Sequence, residues 1–400
     1  MITNFTLYIL CSFVFLHKCD AEEKKTVGDT LFNDLFLTYK KDLLPQKEVN
    51  RPVTVNVTFL LMGIRELDEK TGKLSVMSSL MLTWNDFRLK WDPSSYGNQT
   101  LIVIPEEIIW KPNPTLLNPY DNLKLVADGL FPVTIESEGH LYWPIGGIMS
   151  SVCNVDVTYY PFDIQVCALK FTPWGYPFTS VQLLIGTPEI IRYHFTEDGE
   201  WNIVNTNIRI FDAHVSMITV ELVLQRRPAF VIYNFILPVV ILLSLNCLVF
   251  VLPVESGERV SYSVTVLLAV ALFLTLVENN LPKTSLPTAM LTYFLLSYVI
   301  ISAAICALVI FNSSLYFKDD KLHPVPIYLV QMMHYCFKKK ALASDTNSNE
   351  SPKSTTRASV GSGITWRTVS QWIDKILFRV CLLVVAVSTT VLFLVLKNGK

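Results

Sequence analysis

The sequence predicts a mixed fold: an extracellular antiparallel β-sandwich with an N-terminal helix, followed by a bundle of four transmembrane helices. Three observations predict it. Four apolar stretches, roughly 229–252, 260–281, 287–311 and 375–396, approach or exceed the length of about 20 residues that a helix needs to cross a bilayer. The segment before them, 50–226, is cut into short alternating or apolar runs by turn clusters such as Asp68-Glu69-Lys70-Thr71-Gly72 and Pro93-Ser94-Ser95, the pattern of a sandwich. With 51% hydrophobic residues and a mean hydropathy of +0.39, the 400-residue chain is too apolar for an ordinary soluble protein. Its formal net charge of -1 offers no argument for nucleic acid as a partner.

Taken in order, residues 1–21 are apolar (Leu7, Ile9, Leu10, Phe13, Val14) before a polar stretch and read as a signal peptide, which would carry Cys11 and Cys19 away. The mature chain then faces an oxidising compartment. Two glycosylation sequons suit that placement, Asn56-Val57-Thr58 and Asn98-Gln99-Thr100. The alternation Val53-Thr54-Val55-Asn56-Val57 turns Asn56 to solvent. From Val27 to Leu44, apolar residues at Leu31, Phe32, Leu35, Phe36, Tyr39 and Leu43 predict a helix. The last strand, Val215 to Leu224, runs into Arg226-Arg227-Pro228 and the first span.

Topology follows from the leader. Residues 22–226 lie outside. Residues 227–311 hold three spans (about 229–252, 258–281 and 286–311), 312–373 form a cytoplasmic loop, and 374–400 hold the fourth span and an extracellular C-terminus. The loop carries Lys338-Lys339-Lys340, Lys353, Arg357 and Arg367, as the positive-inside rule requires. Within it, His323 to Phe337 is mildly amphipathic, and about 341–363 is rich in Ser, Thr, Asn and Gly and predicts disorder. From Ile364 to Lys375, with Trp366, Val369, Trp372 and Ile373 on one face, a helix is expected to continue into the fourth span.

Cys153 and Cys167 are the two cysteines between residue 20 and the first span, and they enclose thirteen residues. A disulfide there would add about 3 kcal/mol, helpful to a sandwich without being its framework. By spacing alone the pair fits any secreted hairpin. Its tip, however, reads Tyr160-Pro161-Phe162-Asp163, and spacing and tip together resemble the signature loop of the Cys-loop (pentameric ligand-gated) receptors. The order of sandwich, three close helices, cytoplasmic loop and last helix is similar to that family's plan over essentially the whole mature chain. Trp84-Asn85-Asp86-Phe87-Arg88-Leu89-Lys90-Trp91 looks like its Trp-x-Asp-x-x-Leu-x-Trp strand, and Trp110-Lys111-Pro112-Asn113 like its Trp-x-Pro-Asp segment. These matches point to the nicotinic acetylcholine receptor-like branch, as a divergent invertebrate-type subunit. The resemblance implies a multi-pass plasma-membrane protein, postsynaptic among its expected sites, that assembles with four further subunits of the same or related kind. It implies no cofactor and no metal.

In the second span, helical spacing puts Ser261, Thr265, Leu268, Leu272, Leu276 (or Thr275) and Asn279 on one face. Hydroxyls at the inner half and leucines further out suit a water-filled lumen with a dry constriction, and five copies of Leu268 would block ions by dewetting. Glu258 begins that helix. A carboxylate at a helix N-terminus is favourable in itself, by up to about 1 kcal/mol, and five of them would also concentrate cations at the inner mouth. Anion-conducting relatives carry a Pro-Ala insertion here that this chain lacks, which implies cation selectivity. At the outer end Asn279 stands where the nicotinic type carries an acid, with Glu278 one position earlier. Coupling between the halves is expected from Tyr160, Pro161 and Phe162 against Leu281 to Leu286, and from an ion pair of Arg226 with Glu69; plain structural adhesion is the alternative role of that pair.

The ligand site departs from the family pattern. Trp174 matches the cage tryptophan that would hold a quaternary ammonium by cation–π contact. The expected tyrosine after Trp110 is Leu117, and the expected tryptophan before Trp84 is Ser79. Where the capping loop carries vicinal cysteines flanked by tyrosines, this chain reads Asn205-Thr206-Asn207-Ile208-Arg209-Ile210-Phe211-Asp212-Ala213-His214. Acetylcholine is therefore a poor candidate ligand. Tyr176, Phe178, Trp143 and Phe211 are expected to line a pocket for a more apolar small molecule such as an amphiphile, with Arg209 meeting an acid group on it. The expected function is a ligand-gated cation channel subunit in the membrane lipid; the alternative is a non-conducting ligand-binding or obligate partner subunit. An enzyme is not indicated: the sequence has no metal-ligand spacing, no Gly-x-Ser-x-Gly and no phosphate loop, and its six histidines are scattered.

Overall fold

The computed structural model describes residues 26–48, 51–126, 131–278, 288–320, 322–333 and 365–398. Outside them lie the expected signal peptide, Asn279, the 281–286 segment, the lysines at 338–340 and the segment 341–363.

Helix α1 (Val27–Phe36) starts at a capping box, in which Thr26 Oγ1 accepts from the Asp29 amide at 3.2 Å and Asp29 Oδ2 accepts from the Thr26 amide at 2.8 Å. The apolar spacing predicts helix from Val27 to Leu44, but α1 ends at Phe36. Tertiary bonds take the chain beyond it: Arg88 Nη1 donates to the Lys40 and Leu43 carbonyls at 3.3 and 3.0 Å, and the Tyr39 hydroxyl donates to Asp86 at 2.8 Å.

Ten strands follow among the described residues: β1 (Val53–Asp68), β2 (Lys73–Asn85), β3 (Leu101–Ile104), β4 (Pro114–Leu116), β5 (Val133–Glu136), β6 (His140–Val152), β7 (Ile164–Pro173), β8 (Val181–Ile185), β9 (Trp201–Asp212) and β10 (Ser216–Arg226). They make a six-stranded sheet, β3-β5-β6-β2-β1-β8, and a four-stranded sheet, β4-β7-β10-β9. Alternating burial along β1 and β10 sends one face of each into a shared core and the other to solvent. Asn56 and Asn98 are both exposed. The turn between β1 and β2 is closed by Thr71 donating to Asp68 at 2.7 Å.

Two expectations change here. The Trp84-to-Trp91 run is strand only through Asn85; Asp86 then leaves the ladder to take Arg88 in a paired ion bond at 2.7 and 2.8 Å. Trp143, expected at a ligand pocket, is 1% exposed in the centre of the core. Its position on β6 alternates inward, its ring meets Trp84 edge-on at 6.3 Å, and its Nε1 donates to buried Glu106 at 3.0 Å.

Cys153, after β6, is bonded to Cys167 on β7, closing the loop 153–167 at one end of the sandwich. Beyond β10 the described residues hold four long apolar helices: α2 (Ala229–Phe250), α3 (Arg259–Glu278), α4 (Met290–Tyr316) and α5 (Trp366–Asn398). A π turn over Ile232–Ile236 re-phases α2 just before Pro238. The bundle core holds Val239, Leu243, Leu295, Ile305 and Val385, and Asn246 Nδ2 donates to Ser302 Oγ at 2.8 Å, tying α2 to α4. Helix α5 is continuous from Trp366, and Trp366 and Val369 pack on Met333 of a short helical run at 327–333.

Candidate functional site

Three sites stack along the molecule. The lowest is a stripe on α3. Ser261, Val264, Thr265, Leu268, Leu272, Thr275 and Leu276 are exposed, while Arg259, Ser263, Val266, Val270 and Val277 on the other side are buried against the bundle. Leu268, Leu272 and Leu276 are 58, 59 and 58% exposed, so this side of α3 is turned away from the subunit's own core. The hydroxyls bond back to their own helix, Thr265 to the Ser261 carbonyl at 2.8 Å and Thr275 to the Leu272 carbonyl at 2.7 Å. Glu258 is exposed at the start of the helix, and its carbonyl accepts from the Tyr262 amide at 2.9 Å.

The second site is the junction between sandwich and bundle. The disulfide-closed loop reaches onto the helices: Val157 and Tyr160 join one apolar cluster with Val231, Ile236 and Ala289, Phe162 packs against it, and Pro161 is buried. The Thr158 carbonyl accepts from the Met290 amide at 2.9 Å, so the loop also holds the start of α4, a contact that sequence reasoning missed. Arg226, the last residue of β10, pairs with Glu69 as expected. It also pairs with Asp163, through Nε at 2.8 Å and Nη2 at 3.2 Å, and its guanidinium lies 4.2 Å from the Trp201 ring centroid and 4.8 Å from that of Tyr160. Asp163 is a partner beyond the expected pair, and the signal for it in the sequence is its place directly after the aromatic-Pro-Phe run. Burial by itself would lower the Arg226 pKa, but the Asp163 and Glu69 carboxylates outweigh it and hold the guanidinium firmly charged. Burial pushes the Tyr160 phenol up to about 12, against a smaller opposing pull from Arg226.

The third site is an open cleft of about 460 Å³ beside the turn after β7, lined by Leu117, Trp174, Tyr176, His214 and Val215. The Trp174 amide is held by the Asn113 carbonyl at 3.0 Å while its ring stays 48% exposed. The Tyr176 hydroxyl accepts from Trp110 Nε1 at 3.1 Å. Of the expected ligand residues the cleft brings together Leu117, Trp174 and Tyr176, and adds His214. Phe178 is half-buried outside its lining, Phe211 stands exposed on β9, and Ser79 lies on the other sheet with its hydroxyl bonded to the Ile145 carbonyl at 2.7 Å. Arg209 already has an acid, Glu221, at 3.3 Å. Strands β9 and β10 stay paired up to Asp212 and Ser216, so just 213–215 project beyond the ladder as a cap.

A sandwich with this loop, set on four apolar helices, matches two known sequence families in tandem. The neurotransmitter-gated ion-channel ligand binding domain covers residues 28–228, and the neurotransmitter-gated ion-channel transmembrane region covers 235–363. The chain belongs to this family. Similar proteins include the neuronal acetylcholine receptor subunit alpha-4 of Gallus gallus, 30% identical over 80% of this chain and 52% of that protein. The alpha-4 subunit of Homo sapiens is 31% identical over 77% of this chain and 50% of its own length, and the alpha-2 subunit of Gallus gallus 31% over 80% and 62%. The chain spans about half the length of the alpha-4 relatives. The family is one of ligand-gated ion channels and not of enzymes, and with four apolar helices this member is a multi-pass membrane protein.

Proposed function

We propose that this chain is a subunit of a pentameric, ligand-gated cation channel of the plasma membrane, with its pore lined by α3. One observation carries the reading: α3 packs one side into the bundle and leaves the other, hydroxyls then leucines, exposed. In a ring of five the stripe faces its own copies across an axis. The Ser261 and Thr265 hydroxyls then give ions a polar wall, Leu268 to Leu276 form the dry girdle that holds the closed pore shut, and Glu258 supplies a carboxylate ring that favours cations. Ligand binding near Trp174 is relayed down β7 and β10, which run from the cleft to the Cys loop and Arg226, and from there to α2 and α4.

The ligand best suited to the cleft is a small amphiphile. Leu117, Val215 and the prolines around Trp174 offer apolar surface, and His214 offers one polar contact. An aromatic cage around a quaternary ammonium would need more rings than Trp174 and Tyr176. Exposed Asn56 and Asn98 are the proposed glycan sites. The same sparse cleft favours a second reading, a partner subunit that conducts only beside a ligand-binding one.

The test needs no agonist. Express the chain alone with Leu268→Thr, which hydrates the girdle, and record under voltage clamp while sodium and then chloride are replaced. A leak whose reversal potential follows sodium is the expected result. Protein at the cell surface with no leak refutes the self-sufficient channel and favours the partner subunit.

A further inference from the structure

The packed side of α3 carries a charge. Arg259, the first residue of the helix, is 1% exposed and shares the buried stripe with Ser263, Val266 and Val270. Its Nη1 donates to Asp374 Oδ2 at 3.0 Å, and its Nη2 donates to Asp374 Oδ1. Asp374 sits on α5 and is itself buried. Asn312 of α4 completes the cluster, donating to Asp374 Oδ1 at 2.7 Å and to the Ser370 carbonyl at 3.2 Å. The guanidinium also lies 5.6 Å from the ring centroid of Phe250 at the end of α2. All four helices therefore meet on one charge pair.

Glu258 is the neighbouring residue in the chain. Carboxylate and guanidinium are adjacent on the backbone, yet the first is exposed and the second is turned about 100° away into the bundle. The planar fork of the guanidinium matches the Asp374 carboxylate, which holds it in this pocket. Freed from its pocket it would bring a positive charge within one residue of each Glu258, inside the screening length of about 8 Å at physiological salt. The two rings of charge would then largely cancel.

We infer that Asp374, on the helix furthest in sequence from the pore, is a positioning residue for charge selectivity: it holds Arg259 behind α3 so that Glu258 faces the pore uncompensated. The inference rests on the proposed role of Glu258 at the inner mouth and adds the condition under which that role operates. Asn312 sets the carboxylate's rotamer, and Asp374 sets the guanidinium's.

The experiment uses the full chain carrying Leu268→Thr as the conducting parent. Asp374→Asn keeps the shape of the side chain and removes its charge. It is expected to shift the reversal potential from sodium toward chloride and to lower unitary sodium conductance at least about twofold, since a ring of fixed charge raises local cation concentration about tenfold or more. Arg259→Gln added to Asp374→Asn is expected to return both readouts toward the parent, and Asp374→Glu to hold them close to it. A purely adhesive pair would lower the number of channels at the surface and leave the reversal potential of those that arrive untouched. That result in Asp374→Asn overturns the inference. If Asp374→Asn does not reach the surface, Asn312→Ala, which removes the donor that holds the Asp374 carboxylate, decides instead: a shift toward chloride supports the inference, and a reversal potential that stays on sodium overturns it. A sodium-selective parent with an insensitive Asp374→Asn derivative refutes this inference alone, whereas a silent or chloride-selective parent refutes the proposed function and this inference with it.

Discussion

Arg226→Gln removes the centre of the junction. The guanidinium makes paired bonds to Asp163 at 2.8 and 3.2 Å, bonds to Glu69, and lies between the Trp201 and Tyr160 rings. With glutamine there, Asp163, 3% exposed, keeps Gln165 at 2.6 Å but has lost its counter-charge, and so has Glu69. Breaking a buried pair from one side costs about 3–5 kcal/mol. For a sandwich of this size each kcal/mol lowers the melting temperature by about 2–4 °C, so a drop of roughly 6–20 °C is expected. The adjacent Arg227 is the control: it bonds Glu197 at 3.2 Å with both side chains well exposed, a type of pair worth about 0–1 kcal/mol. The assay is thermal melting of the detergent-solubilised receptor followed by size-exclusion chromatography. Asp163→Asn combined with Arg226→Gln should cost clearly less than the sum of the two singles, because each leaves the other without its partner. Equal shifts for Arg226→Gln and Arg227→Gln would refute the claim that burial makes this pair matter.

Two further outcomes follow from the same geometry. Because the folded-state Tyr160 phenol is raised to about 12 by burial, its contribution to stability is whole below its ordinary value near 10 and is lost as pH rises from there toward 12; Tyr160→Phe should flatten that part of the melting-temperature profile. Trp143→Phe deprives buried Glu106 of the indole donor at 3.0 Å, a bond to a charged group worth about 1.5–3 kcal/mol, whereas exposed Trp174→Phe should stay within about 0.5 kcal/mol; comparable melting shifts for the two would return Trp143 to the ligand site.

What the sequence determined by itself rests on periodicity and on local chemistry. Hydropathy over windows of about 20 residues marks the four helices, alternation marks the strands, and helical spacing on α3 separates Leu268, Leu272 and Leu276 from Val266 and Val270 without any tertiary knowledge. The Cys153–Cys167 bond and the Arg226–Glu69 pair came from resemblance, and the structure contains both.

Tertiary structure decided the rest, because burial and partnership depend on residues far apart in the chain. Tyr39 and Leu43 keep a helical spacing, but Asp86 and Arg88, more than forty positions on, end the helix first. Trp143 lies within β6, where the pleat turns it into the core, whereas Trp174 lies in the turn after β7 and stays at the surface. Arg209 looked free for a ligand until the β9–β10 register set Glu221 beside it. Arg259 follows Glu258 at the start of α3, and nothing in its local sequence marks it as buried. Only the packing of α3 against α4 and α5 supplies the Asp374 carboxylate, 115 residues away, that makes its burial tolerable.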